Sequence, residues 1–156
     1  MKTKRRNHGF SMVEIIIVIA IMAILAAALA PQLIKYVRKS RRSTDIQSGD
    51  EIQSSFARAY ITLAKEDTYD PSSDSGDVYI RHDHTVPNPP QTLADYAFLE
   101  LGLIPASKTN SNYYWHIEYD PATGKVNKIS LTDTAGAGGS ISHEVFPDSG
   151  DFAEGI

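Results

Sequence analysis

The chain of 156 residues has no cysteine. That removes disulfides, thiol nucleophiles and thiolate metal sites together, so any folded part is held by packing and hydrogen bonds alone. Missing too are the G-x-S-x-G elbow, the P-loop and the dinucleotide fingerprint, and the expectation is a protein that is not an enzyme and needs no cofactor. Charge is absent from Ile15 to Ile34, and polar side chains of every kind are absent from Ile15 to Ala30. Basic residues become scarce towards the C-terminus. From Ser43 onward six Lys/Arg stand against eighteen Asp/Glu, a net of −12. An acidic head repels phosphate backbones, so no direct nucleic-acid binding is expected of it.

What surrounds the uncharged run is basic on both sides. Lys2, Lys4, Arg5 and Arg6 precede it, and Lys35, Arg38, Lys39, Arg41 and Arg42 follow it. A helix from Phe10 to Ile34 would be about 37 Å long, against a bilayer core of about 30 Å. The basic start favours a cytoplasmic N-terminus, with the remainder of the chain outside. The second basic cluster argues the other way; the short, acid-free leader decides for the first orientation.

One residue spoils a simple membrane reading: Glu14 lies just inside the run. A secretory signal peptide would account for the basic start, the apolar middle and the A-x-A at Ala28–Ala30. Pro31 would then follow the cut directly, and a carboxylate near the start does not suit an inserting signal. A plain single-pass anchor tolerates everything except Glu14, whose burial costs roughly 2.5–3.5 kcal/mol at a helix centre and less near the interface. An ionisable group in a membrane helix asks for a partner.

"GFSMVE" followed by an Ile/Ala-rich helix resembles the N-terminus of type IV prepilins and of the pseudopilins of related secretion and DNA-uptake machines. The resemblance is strong from Arg5 to about Tyr36. It implies that a prepilin peptidase cuts between Gly9 and Phe10 and that the new Phe10 amine is methylated. The exposed ammonium, four residues before Glu14, would make an opposite charge in low dielectric, where a pair costs far less than either charge alone. In the family, the ammonium of an incoming subunit meets the glutamate of its neighbour, so Glu14 would guide assembly. Pro31 falls where family members carry a helix-bending proline; on its own chemistry it removes a backbone donor and crowds the preceding turn.

The resemblance thus implies a subunit of a type IV pilus. Its partners would be copies of itself in a helical filament, the peptidase, a membrane assembly platform, and the lipid bilayer before assembly. The alternatives are a major pseudopilin of a type II secretion or competence system, and a membrane-anchored binding domain. The implied sections are a leader at 1–9, a membrane-spanning or filament-core helix at 10–34, an amphipathic extension at 35–66 and a head at 67–156. The chain would span the cytoplasmic membrane once before assembly and stand in an extracellular pilus afterwards.

Beyond the run, Ile52, Phe56, Ala59, Tyr60 and Leu63 recur at helical spacing and define a packing face. Lys35, Arg38, Lys39 and Arg42 share another face, which would meet anionic head groups or acidic groups of neighbouring subunits such as Asp45, Asp50 or Glu51. Gly49 weakens the helix and marks a candidate bend. "VYIRH" alternates as an edge strand; "TLADYAFLELG" reads as a helix capped by Thr92 and Asp95 and stopped by Gly102. "YYWHIEYDPATGKVNKISLTD" is the best hairpin, and the tail from Ala135 reads as irregular. The fold class expected is α+β, a long N-terminal helix packed on a small antiparallel sheet.

Metal sites are weakly indicated. His82 and His84 would share a strand face. "DPSSDSGD" has EF-hand-like acids at the wrong spacing, with Arg81 where the bidentate glutamate belongs. Calcium among Glu144, Asp148, Asp151 and Glu154 is a further option. Many Gram-negative pilins close this region with a disulfide loop, which this cysteine-free chain lacks; Gram-positive pilins and major pseudopilins, some of them calcium-binding, are compatible with it.

Overall fold

The computed structural model describes residues 10–64, 69–136 and 142–146. Its fold is the α+β arrangement expected: a long helix α1 (Met12–Leu63) and a four-stranded antiparallel sheet. The chain divides into two compact units between Arg38 and Lys39. Among the described residues, the first contains the largely apolar start of α1, whose side chains are exposed from Phe10 to Val37. The second is the head.

The head follows from its periodicities. α1 buries Ile52, Phe56, Ala59 and Leu63, the face marked by helical spacing, with Tyr60 partly buried beside it. Four strands follow as β1 (Asp77–Ile80), β2 (Tyr114–Asp120), β3 (Lys125–Thr132) and β4 (Ser142–Phe146), in the order β1-β2-β3-β4. In β2 the alternation places Trp115, Ile117 and Tyr119 inward, opposite Leu131, Ile129 and Val126 of β3. Phe56 joins the layers. Its ring meets Phe98 edge-on at 5.9 Å and Tyr119 at 4.8 Å. Truncating a ring so placed typically costs about 3–5 kcal/mol.

Helix α2 (Leu93–Leu101) starts and stops as its sequence dictates. The Thr92 hydroxyl accepts the Asp95 N–H at 3.1 Å, and Asp95 accepts the Thr92 N–H at 3.0 Å. Gly102, at φ 79°, ends the helix by donating to the Phe98 carbonyl.

Three expectations are corrected. β1 ends at Ile80, and the His84 N–H closes a turn onto the Arg81 carbonyl, so His82 and His84 do not share a strand face. The tail beyond Ala135 is not wholly irregular: "SHEVF" forms β4 against β3 and buries Val145, a short strand hidden by the glycines before it. α1 is helical through Gly49. A Cβ there would stand 2.7 Å from Val145 Cγ1, so the glycine admits the sheet's last strand. Asp45 is fully buried and bonded within its own head, which withdraws it from the acidic groups open to a neighbour; Asp50 and Glu51 remain exposed.

Candidate functional site

The candidate site is the exposed start of α1. Phe10 is 82 % exposed, and the aliphatic side chains from Ile15 to Ile34 are exposed on every side of the helix. Soluble monomers rarely expose contiguous apolar surface of more than a few hundred Å², so this segment needs a bilayer or a protein environment around it. The helix is long and apolar enough to cross a membrane. Inside this apolar surface sits one carboxylate. Glu14 occupies the first turn, where the helix dipole favours an anion, and its Oε2 accepts the Ser11 N–H at 3.2 Å. That bond turns the side chain back towards the N-terminal end, the end at which a cleaved Phe10 would carry its ammonium. α1 stays helical through Pro31, which has no N–H to give to the Ala27 carbonyl. Gly9, with the rest of the leader, lies outside the described residues.

The head carries polar clusters of a different kind. Asp74 gathers the Tyr119 hydroxyl at 2.6 Å, the Tyr69 hydroxyl at 2.8 Å, the Leu93 N–H at 2.8 Å and the Gly76 N–H at 3.1 Å. Burial pushes this carboxyl's pKa up, but the four hydrogen bonds outweigh it and hold the group below the usual carboxylate range. Burial and the Asp74 charge both push the two tyrosine hydroxyls upward. The cluster is a structural tie of loop, helix and sheet; of the acids of "DPSSDSGD", Asp70 and Asp74 are used for caps and turns and Asp77 pairs with His116.

His116 was not singled out by sequence. Its Nε2 lies 2.6 Å from Asp77 Oδ1, its Nδ1 lies 3.4 Å from Ser130 Oγ, and its ring stacks on Tyr79 at 4.1 Å. The composition is that of a hydrolase triad, yet Ser130 is fully buried and no substrate could reach its hydroxyl. The strand register explains the grouping, because Tyr79, His116 and Ser130 are cross-strand neighbours. Only the pairing register could have revealed it.

Among the described residues no group of His, Asp and Glu is arranged to hold a metal. Glu144 stands on β4 with Oε1 3.7 Å from Lys128 Nζ; Asp148, Asp151 and Glu154 lie outside the described residues.

Residues 4–30 fit the family model of the prokaryotic N-terminal methylation motif. No curated protein and no solved structure matches the chain. The matched stretch contains the Gly9–Phe10 junction, Glu14 and most of the exposed apolar helix, so the chain carries at its N-terminus the methylation motif of a type IV pilin-like prepilin.

Proposed function

We propose that this protein is a structural, non-enzymatic subunit of a type IV pilus, made as a membrane-anchored precursor and assembled after cleavage between Gly9 and Phe10. The observation that carries the proposal is the placement of Glu14 at the start of an exposed stretch of α1 that is otherwise uncharged as far as Ile34 and whose first part matches the methylation motif. A lone carboxylate at that depth is costly, and a methylated Phe10 ammonium from a neighbouring subunit offsets the cost. Packing of copies against one another covers the apolar helices and draws each out of the bilayer into a filament core. In this reading residues 1–9 are the leader, 10–34 the spanning and core helix, 35–66 its extension and 67–156 the displayed head. Pro31 loosens the helix for packing. The partners are other copies of the chain, the prepilin peptidase and a membrane assembly platform.

A second reading, a major pseudopilin of a type II secretion or DNA-uptake machine, is equally compatible with the cysteine-free chain. Both share the processing and assembly steps. Glu14→Val separates them from a plain anchored domain. The variant should be cleaved and inserted normally yet be missing from filaments, whereas normal filaments would remove Glu14 from assembly. Gly9→Leu should leave an uncut precursor in the membrane; a processed protein would contradict the cleavage site.

A further inference from the structure

The head contains an open pocket of about 640 Å³ between the α1 residues Ser40, Arg41 and Thr44 and the loop 106–111. Its lining differs from the rest of the head. Two cations, Arg41 and Lys108, stand on opposite walls, and the other polar groups are hydroxyls and an amide. No Asp or Glu lines it among the described residues, although the chain from Ser43 onward has a net charge of −12. Neither Arg41 nor Lys108 has an ion-pair partner among the described residues. The loop wall is fixed in advance, because the buried Asp45 accepts the N–H groups of Lys108 and Thr109 and the Ser107 hydroxyl.

We propose that this pocket binds the phosphodiester headgroup of an anionic phospholipid while the subunit is still in the membrane. A guanidinium forks onto two phosphate oxygens, an ammonium adds a point charge from the other side, and the Ser40 and Ser111 hydroxyls and the Asn110 amide donate to what remains, the Ser107 and Thr44 hydroxyls being already given to Asp45 and to the Ser40 carbonyl. The place fits the ligand. Arg41 lies seven residues beyond Ile34, the last residue of the uncharged run, at the level where a helix leaving the hydrocarbon meets the headgroups. Elsewhere the head would repel an anion. Captured here, the lipid would hold the unassembled subunit against the outer leaflet and be left behind on extraction. The inference needs the membrane-embedded helix but not filament assembly, so it stands or falls separately from the role of Glu14.

Free inorganic phosphate shares the same chemistry, and the test separates the two. The full chain is placed in nanodiscs of phosphatidylcholine with or without phosphatidylglycerol, and retained lipid is counted by native mass spectrometry. Phosphatidylglycerol should be retained selectively. Arg41→Gln with Lys108→Gln should lower that retention about 30-fold, from two cations worth about 1 kcal/mol each near the surface. Lys125→Gln should leave it unchanged. Lys35→Gln with Lys39→Gln should weaken the salt-sensitive attraction without removing the retained lipid. Equal retention of both lipids, or a double variant at Arg41 and Lys108 that keeps phosphatidylglycerol like the parent, would overturn the proposal. Inorganic phosphate binding in phosphatidylcholine nanodiscs as tightly as the anionic lipid would overturn the lipid assignment.

Discussion

Asp45 Oδ1 accepts the backbone N–H of Lys108 at 2.6 Å, across 63 positions of the chain. Its other oxygen accepts the Thr109 N–H at 2.9 Å and the Ser107 hydroxyl at 3.1 Å. One buried carboxylate therefore satisfies a loop that has no sheet or helix to bond with. Asp45→Ala strands two N–H groups and a hydroxyl, each costing about 1–3 kcal/mol when left unmet. The expected loss is about 3–5 kcal/mol in denaturant unfolding followed at Trp115, with Asp45→Asn in between because one acceptor remains. A stable Asp45→Ala head would mean that the loop finds other partners.

The β2–β3 turn docks on α1 through a glycine. Gly124 has φ 68°, and a Cβ there would collide with Tyr60 Cβ, while the Tyr60 hydroxyl donates to the Ala122 carbonyl at 2.6 Å. Both the conformation and the space demand glycine. Gly124→Ala should destabilise the head by about 2–4 kcal/mol, and Tyr60→Phe by about 1 kcal/mol. Thermal unfolding that ranks the two in the reverse order would contradict this docking.

Acid should loosen the head at Asp74. Its pKa is lower in the folded head than in the unfolded chain, despite burial, because the Tyr119, Leu93, Gly76 and Tyr69 donors favour the ionised form. The stabilisation is fully present above the ordinary Asp value of about 3.9 and is lost as pH falls through the lower folded value. Asp74→Asn should cost about 2 kcal/mol at neutral pH and flatten the acid limb of the stability curve. An unchanged acid limb would assign it to other carboxylates. Asp70, Asp83 and Asp120 are shifted in the same direction but stand in water, where such bonds contribute little.

Much of this structure was legible from residue order. The face of Ile52, Phe56, Ala59 and Leu63, the box of Thr92 and Asp95, the stop at Gly102 and the hairpin of β2 and β3 are local patterns with local causes. Asp45 and Gly49 have reasons that lie far along the chain. One bonds a loop 63 positions away, and the other makes room for Val145. β4 escaped because five residues flanked by glycine and aspartate carry little periodicity until β3 offers an edge. The His116 and Asp74 clusters depend on register and loop closure, which spacing does not encode. The N-terminal methylation motif was legible for the opposite reason: its residues are contiguous.

The central claim is tested most directly by the intact mass and N-terminal residue of this protein in filaments sheared from native cells. The account predicts a chain beginning at N-methylated Phe10 in the sheared fraction. A protein that keeps Met1 and its leader in every fraction would contradict it and leave a plain membrane anchor.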